Sequence, residues 1–435
     1  MNMVNVELPY GRSRLSARIR ECNYLGTFEA ALPRAAEDGA RAVGEALDAP
    51  IGSPPLEELA AGRRRAVVIA SDHTRPVPSR VIMPQILERL RRGSPGIEVT
   101  ILIATGFHRG TTREELIAKF GPEIVEREKI VVHDSSDSSA MVRLPDLPSG
   151  GRLLINRLAL EADLLVSEGF IEPHFFAGFS GGRKSVLPGI AARETVLANH
   201  CAEFIASPFA RTGNLEGNPI HRDMVFAAEQ VKLAFIVNVV IDPARRIVRA
   251  FAGDFLRAHR AGCEFLEQVC RVSVPEADVV LTSNGGYPLD QNVYQAVKGM
   301  TAGEAVCREG GTIVIAASCS DGHGGESFYR NLAGARSPQE LLARVAAVPR
   351  NRTEPDQWEF QILARILSRY RVIVVTRDCD HRMLREMHLE AASTLQEAVD
   401  SALRSAGESA KIAVIPDGVS VIPVRIGPQG EKETR

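Results

Sequence analysis

The chain has 435 residues, of which 45% are hydrophobic and 24% charged, and its formal net charge is −2. This length predicts two domains, and the small net charge gives no electrostatic reason to expect nucleic acid or an anionic membrane as a partner. The seven cysteines form no C-x-x-C pair, and the chain does not start with a basic segment followed by an apolar one. No apolar run approaches the ~20 residues that cross a bilayer. These features together predict a cytoplasmic protein.

Short apolar strands alternate with polar loops and helices in the first part of the chain. A strand at 65–70 precedes the loop 71–78 and a helix at 80–92, and a strand at 97–104 precedes the loop 105–110 and a further helix. Such alternation predicts an α/β fold with mainly parallel sheets covered by helices.

The stretch 172–189 is the most informative loop of the chain. It lies between a predicted strand at 162–166 and a predicted helix at 192–206, and it contains one histidine, an Arg–Lys pair and four glycines. Glycines let the backbone approach phosphate oxygens, and a helix start offers free N–H donors. The stretch therefore predicts a cofactor-binding loop.

The segment from Gly178 to Ser185 departs by one residue from the phosphate-binding pattern G-x-x-x-x-G-K-[ST]. Arg183 stands directly before Lys184, where that pattern requires glycine. This departure disfavours a P-loop phosphotransferase, which stays open as an alternative function together with a non-catalytic nucleotide- or cofactor-binding protein. A buried glycine loop without any ligand is the structural alternative.

A second series of strands follows a predicted hairpin around Asp242 and a helix at 255–271. Its predicted strands are 277–282, 311–318, 372–376 and 411–415. We therefore predict an N-terminal α/β domain, 1–272, that carries the loop 172–189, and a C-terminal α/β domain, 273–435, that closes a cleft containing the active site. Residues 426–435 are predicted to form a polar tail.

Loops that follow parallel strands meet at one edge of a sheet, where open α/β folds bind their ligands. This rule predicts that five polar side chains of the first domain gather there. They are Asp72, Arg75, His108, His174 and Lys184.

His108 and His174 are candidate acid/base groups, because an imidazole titrates near neutral pH; each is alternatively a surface or capping histidine. Arg75 lies in a turn with two prolines and could bind a carboxylate or phosphate with two hydrogen bonds, or could pair with Asp72. His200 has no H-E-x-x-H or paired C-x-x-C around it. It is therefore structural, or an organic cofactor supplies the other ligands of a metal.

Three polar side chains of the second domain share one helical face, since Tyr294 and Gln295 lie four and three residues before Lys298. Lys298 is a candidate substrate-binding residue, with a salt bridge as the alternative. Trp358, the only tryptophan, is either core or the aromatic wall of a pocket.

The chain resembles the nickel-dependent lactate racemase family over nearly its whole length. The resemblance is carried by Ser71-Asp-His-Thr-Arg-Pro, Thr105-Gly-Phe-His-Arg, Pro173-His-x-x-Ala-Gly-Phe-Ser-Gly-Gly-Arg-Lys-Ser-x-x-Pro-Gly189, Asn199-His200 and Gly285-Gly-Tyr-Pro-Leu-Asp-Gln291 before Tyr294-Gln-x-x-Lys298.

The resemblance implies a nickel-pincer nucleotide, a pyridinium-3-thioamide-5-thiocarboxylic acid mononucleotide that holds nickel through two sulfurs and a ring carbon. By this resemblance Lys184 tethers the cofactor covalently and His200 is the protein ligand of nickel. Further cofactor contacts are implied for Asp72, Arg75, Ser180, Gly181, Gly182 and Gln295.

The implied reaction is racemisation or epimerisation of a 2-hydroxy acid, lactate or a similar short-chain acid, by hydride transfer to the cofactor. His108 and His174 are implied as the two acid/base groups, on opposite faces of the substrate. Substrate contacts are implied for Arg75, Tyr294, Lys298 and Trp358, and cofactor-synthesis proteins are implied as maturation partners.

Overall fold

The structure is a computed structural model that describes residues 2–427, so most of the predicted polar tail lies outside the described residues. In chain order the strands are β1 (Met3–Tyr10), β2 (Ser13–Arg20), β3 (Tyr24–Thr27), β4 (Arg65–Ser71), β5 (Glu98–Ala104), β6 (Lys129–Val132), β7 (Met141–Leu144), β8 (Leu153–Asn156), β9 (Leu164–Phe170), β10 (Pro173–His174), β11 (Gly178–Phe179), β12 (Leu233–Ile241), β13 (Ile247–Gly253), β14 (Arg271–Pro275), β15 (Ala277–Ser283), β16 (Cys307–Ala316), β17 (Arg371–Val375), β18 (Glu390–Ala392), β19 (Ile412–Ile415) and β20 (Ile422–Ile426).

The α-helices are α1 (Gly39–Asp48), α2 (Leu56–Ala60), α3 (Ser79–Gly93), α4 (Arg113–Phe120), α5 (Pro122–Arg127), α6 (Leu158–Glu161), α7 (Arg193–Asn199), α8 (Ala202–Ala206), α9 (Pro219–Gln230), α10 (Arg257–Cys270), α11 (Val293–Val306), α12 (Glu326–Ala333), α13 (Pro338–Ala346), α14 (Gln357–Leu367), α15 (His381–Glu386) and α16 (Leu395–Ala406). Among the described residues, none of these helices combines the length and the apolar content that a bilayer crossing requires.

The chain forms two compact units, each assembled from separated segments. Unit 1 comprises Met1–Ala31, Cys201–Ala206 and Cys270–Arg435, and unit 2 comprises Leu32–His200 and Ser207–Val269. The sequence predicted one domain boundary, near residue 272. In the structure the chain also passes from one unit to the other near residues 31, 200 and 206.

Two contacts explain why short segments join unit 1. Strand β3 pairs in parallel with β19, which adds the N-terminal segment to the sheet of unit 1. Helix α8 packs against α14, where the Gln361 side chain donates a hydrogen bond of 2.8 Å to the carbonyl of Ala202. Pairings between residues this distant in sequence leave no local pattern from which they could be predicted.

Unit 2 is built on a six-stranded sheet in the order β13-β12-β9-β4-β5-β6. Strand β13 runs antiparallel to β12 after the predicted hairpin, and the other neighbours are parallel. All seven residues of β9 are buried, as expected for a strand covered on both faces. The predicted α/β class is therefore confirmed for this unit.

Helices α1 and α3 bury apolar side chains against the sheet of unit 2. In α3, Ile82, Ile86 and Leu90 recur every four residues on one face, and all three are fully buried in the same core as Val68 of β4. This packing fixes the strands whose following loops carry the candidate site.

Unit 1 contains a second six-stranded sheet, in the order β18-β17-β16-β15-β19-β3, and all of its pairings are parallel. The hairpin β1–β2 lies beside it and contributes Leu8, Leu15 and Ile19 to the same core as Leu281. The predicted second α/β series is confirmed, whereas this N-terminal hairpin was missed.

Asn23 attaches the N-terminal segment to the rest of unit 1, because its buried amide donates hydrogen bonds of 2.7 and 2.8 Å to the carbonyls of Glu408 and Ala410. We expect Asn23→Ala to lower the free energy of unfolding by about 1–3 kcal/mol, measured by urea denaturation. The exposed Asn351 provides the control Asn351→Ala, expected to change it by less than about 0.5 kcal/mol. Equal losses in both variants would contradict the anchoring role.

Candidate functional site

Three neighbouring parallel strands of unit 2, in the order β9-β4-β5, carry the candidate residues on the loops that follow them. Asp72 comes directly after β4, His108 follows β5 and His174 follows β9. The sheet therefore brings these loops to one edge, as the sequence predicted. Two of the loops are in direct contact there, through Asp72 and His108.

The buried carboxylate of Asp72 lies 2.6 Å from Nδ1 of His108 and also accepts a hydrogen bond of 2.7 Å from the Thr74 hydroxyl. Burial raises the pKa of Asp72, but the hydrogen bond and charge of His108, together with the Thr74 hydroxyl and the charge of Arg75, outweigh it, so that the pKa lies below its usual value. Asp72 is thus an acceptor, which places a proton on Nδ1 of His108 and leaves Nε2 with the lone pair of the neutral ring.

Arg75 is exposed at the same turn, and its guanidinium donates to the Thr74 hydroxyl at 3.3 Å. The alternative in which Asp72 pairs with Arg75 is not the arrangement found, since the closest partners of the carboxylate are His108 and Thr74. Lys119 donates to the carbonyl of Arg75 at 3.3 Å and supports the turn from α4.

The loop 172–189 folds around the side chain of Arg183, which is one of the largest fully buried side chains of the protein. Its two terminal nitrogens each donate a hydrogen bond of 2.8 Å to a loop carbonyl, Nη1 to that of Phe179 and Nη2 to that of Ala177. Residues Gly182–Ser185 form a short 3-10 helix and not the start of an α-helix. The arginine that disfavoured a P-loop is therefore the internal support of this loop.

Two histidines complete the surroundings of the Arg183 guanidinium. Its Nε donates to Nδ1 of His221 at 3.0 Å, and Nη1 lies 3.0 Å from Nε2 of His259. Burial, followed by the charge of Arg183, lowers the pKa of His221 to about 3 and that of His259 well below its usual value. Both rings are neutral at physiological pH, so they can face the buried cation without repulsion.

Two glycines next to Arg183 adopt backbone conformations that other residues rarely take, with φ of +75° at Gly181 and +53° at Gly182. A Cβ at Gly181 would lie 2.7 Å from Oδ1 of Asn238, and one at Gly182 would lie 2.7 Å from the ring of His259. The Ser180 hydroxyl accepts from the Glu172 amide and donates to the Phe170 carbonyl, at 2.9 and 3.1 Å. Ser180, Gly181 and Gly182, three of the predicted cofactor-binding residues, thus determine the shape of the loop itself.

Phe176 connects three of the predicted residues. Its ring centroid lies 4.6 Å from that of His174, 5.1 Å from that of His200 and 5.8 Å from Nζ of Lys184. Phe176 was not among the residues predicted for the site; its only signal in the sequence was the aromatic pair directly after His174. The structure therefore brings His174, Lys184 and His200 together around one ring.

His174 has the opposite hydrogen-bond pattern to His108. The backbone N–H of Ala177 donates to Nδ1 of His174 at 3.3 Å, so Nδ1 carries the lone pair and the neutral ring carries its proton on Nε2. On these contacts, a neutral His108 would present a lone pair at Nε2 and a neutral His174 a proton at Nε2.

His200 follows the last residue of α7 and caps that helix. The predicted helix at 192–206 is wrong in its length, because the chain forms two short helices, α7 and α8, separated at His200 and Cys201. Burial, then the charge of Lys184, lowers the pKa of His200 to about 3, so its ring is neutral. Across residues 2–427, no group of three or more His, Cys, Asp or Glu side chains could hold a metal ion.

The remaining predicted residues lie in unit 1, at the contact of α11 with α14. Nζ of Lys298 donates to Oε1 of Gln295 at 2.6 Å, and Nε1 of Trp358 donates to the hydroxyl of Tyr294 at 3.1 Å. Tyr294 also packs against Phe328 with ring centroids 5.3 Å apart. These four side chains form one polar and aromatic cluster of unit 1.

We expect Arg183→Lys to lower the free energy of unfolding by about 2–4 kcal/mol, because an ammonium cannot reach the carbonyls and imidazoles that the planar guanidinium joins. Urea denaturation measures this loss. Arg222→Lys, on the exposed neighbour of His221, is the control and should stay within about 0.5 kcal/mol. A similar small change in both variants would contradict the supporting role of Arg183.

Both parts of the chain match described families: residues 10–213 match "Lactate racemase N-terminal domain" and residues 272–423 match "Lactate racemase C-terminal domain". A protein named lactate racemase from Thermoanaerobacterium thermosaccharolyticum is 54% identical over 97% of this chain and 99% of its own length. Another, from Lactiplantibacillus plantarum, is 53% identical over 97% of this chain and 100% of its own length.

The solved structure of the lactate racemase apoprotein from Thermoanaerobacterium thermosaccharolyticum superposes with a TM-score of 0.94 at 54% identity, covering 97% of this chain and all of that one. A protein from Thermotoga maritima shares the fold, with a TM-score of 0.61 at 20% identity. The match covers 86% of this chain and 99% of that one. The family predicted from the sequence blocks is thus confirmed by the two family matches and by relatives 54% and 53% identical over 97% of this chain: the chain belongs to the lactate racemase family.

Proposed function

We propose that the protein is a racemase of 2-hydroxy acids, with lactate or a similar short-chain acid as its substrate. The observation that carries this proposal is the pair of histidines with opposite hydrogen-bond patterns: Nδ1 of His108 faces the Asp72 carboxylate, and Nδ1 of His174 faces the Ala177 amide. The two relatives named lactate racemase, at 54% and 53% identity, support the choice of substrate.

The residues of unit 2 fit a nickel-pincer nucleotide attached to the loop 172–189. His200 is neutral and carries a metal-binding lone pair at physiological pH, and the described residues offer no second cluster of protein ligands. A metal at His200 would therefore take its other ligands from an organic group. Lys184, on the same Phe176 ring, would form the covalent tether, and nickel would bind His200.

Removal of the α-proton is difficult for a 2-hydroxy acid, because the adjacent carboxylate makes that C–H bond a poor acid. When bound, the nickel-pincer nucleotide supplies a hydride acceptor for the α-carbon. The protein then has to move only the hydroxyl proton, which is far more acidic than the C–H bond.

We assign the hydroxyl proton to the two histidines. Nε2 of His108 accepts it, and the ionised Asp72 stabilises the resulting imidazolium through its hydrogen bond at Nδ1. His174 donates a proton from its doubly protonated form when the alcohol is re-formed on the other face of the planar keto acid, and its ring becomes neutral. The proton that His108 gains thus balances the proton that His174 loses. Each histidine takes the other role when the opposite enantiomer is the substrate.

We propose further substrate and cofactor contacts for five residues. Arg75, exposed beside Asp72, would bind the substrate or the nucleotide. In unit 1, we propose Lys298, Tyr294 and Trp358 as substrate-binding residues and Gln295 as a cofactor-binding residue. Maturation would require cofactor-synthesis proteins as transient partners.

A first experiment tests the tether and the metal ligand. The chain, produced together with a cofactor-synthesis system, should show an increased intact mass that Lys184→Arg abolishes, while the control Lys129→Arg at an exposed lysine keeps it. His200→Ala should lose nickel, measured by elemental analysis, and keep the added mass. An unmodified Lys184 under these conditions would contradict the cofactor assignment.

A second experiment tests the acid/base pair. His108→Ala and His174→Ala should keep the added mass and the nickel but lose at least about 100-fold in kcat, because each removes one proton-transfer group. Turnover is assayed with single enantiomers of several 2-hydroxy acids and no added NAD. A wild-type holoprotein that interconverts none of them would favour a non-catalytic cofactor-binding protein, and full activity of either variant would contradict the proposed roles.

A further inference from the structure

Glu359 is a buried acidic residue of unit 1 that transfers no proton in the proposed reaction. It lies in the first turn of α14 and is fully buried. Both of its carboxylate oxygens are buried without a hydrogen-bond partner. Since an ionised carboxylate without hydrogen bonds is costly to bury, its presence calls for a functional reason.

Glu359 lies on α14, which packs against α11, the helix of Tyr294 and Lys298. Glu359 acts electrostatically on Lys298 and on Tyr294, which lie one turn apart on the same face of α11. The preceding residue, Trp358, donates its hydrogen bond to the Tyr294 hydroxyl and fixes the start of α14 against this face. Glu359, the next residue, therefore lies where α14 packs against the helix that carries Tyr294 and Lys298.

Few other charges act on this carboxyl group. Asp356, just before α14, raises its pKa, and Arg365 further along α14 is paired with Glu304 of α11 at 2.7 Å. The other helices that pack against α14 carry their charged groups at exposed or half-exposed positions. These groups are Glu326 and Arg330 of α12, Glu340 and Arg344 of α13, and Glu203 of α8.

We propose that Glu359 is a positioning residue that acts through Lys298: as a neutral acid it leaves the ammonium to bind the substrate carboxylate, and as an anion it competes with that carboxylate. This rests on the proposed function, in which Lys298 binds a 2-hydroxy acid. The substrate class that follows is a monoanionic carboxylate, which a neutral Glu359 admits and an ionised Glu359 repels.

The titration of Glu359 agrees with this role. Burial raises its pKa to about 8, against the opposing effect of the Lys298 charge and with a further increase from Asp356. At neutral pH the carboxyl group is therefore mostly protonated, and it ionises as the pH rises above 8. Competition between the ionised Glu359 and the substrate carboxylate for Lys298 should therefore raise the KM at alkaline pH.

The test compares wild-type holoenzyme with Glu359→Gln, which keeps the volume and removes the charge, and with Glu354→Gln at the exposed neighbour as control. If only the neutral form admits the substrate, the KM of wild type and of the control rises by roughly tenfold between pH 7 and 9, whereas that of Glu359→Gln stays within about twofold. The kcat of Glu359→Gln at pH 7 should remain near the wild-type value. Parallel KM profiles in all three proteins would overturn the proposal.

Thermal unfolding provides a readout that does not depend on turnover. Because the pKa of Glu359 is higher in the folded than in the unfolded protein, the folded protein binds more protons than the unfolded one between pH 4.5 and about 8. The Glu359 carboxyl therefore lowers the stability of the fold increasingly as the pH rises through this range. The Tm of Glu359→Gln should exceed that of wild type by about 3 °C or more at pH 8 and by little at pH 5. A Tm difference that does not change with pH would overturn the buried-acid assignment. Absence of turnover in wild type would instead contradict the proposed function.

Discussion

The hydrogen bonds of the Arg183 guanidinium are the interaction on which the candidate site depends. Loop carbonyls and two neutral imidazoles surround this cation, and the chain on both sides of it adopts its shape by wrapping around it. Lys184 follows directly in sequence, and His174 begins the same loop. A single buried side chain thus sets the positions of the proposed tether and of one proposed acid/base group, while the glycines before it provide the close approach that the wrapping requires.

The sheet of unit 2 adds the second constraint. Because β9, β4 and β5 are adjacent and parallel, Asp72 and His108 meet at the edge where the loop 172–189 also emerges. A carboxylate on one Nδ1 and a backbone amide on the other then give the two histidines opposite proton arrangements. The proposed racemisation needs an acid/base group on each face of the planar keto acid, because one group accepts the hydroxyl proton and the other donates a proton when the alcohol is re-formed.

The parts of this arrangement that follow from local patterns could be predicted. Apolar runs such as 65–70 predicted the strands, and the rule for the carboxyl ends of parallel strands predicted that Asp72 and His108 lie at the same edge of the sheet. Contacts that depend on tertiary packing could not be predicted. The inward direction of Arg183, the central position of Phe176 and the isolation of the Glu359 carboxyl depend on residues far away in sequence, and so does the pairing of β3 with β19.

Hydrogen–deuterium exchange of the loop 172–189 in wild type and in Arg183→Lys measures most directly whether the guanidinium organises the site. In wild type the amides of Ser180, Lys184 and Gly189 are hydrogen-bonded within the loop and should be protected. In Arg183→Lys they should exchange at least about 100-fold faster, while the amides of β4 and β9 keep their protection. Unchanged protection of the loop in the variant would contradict the central role of Arg183.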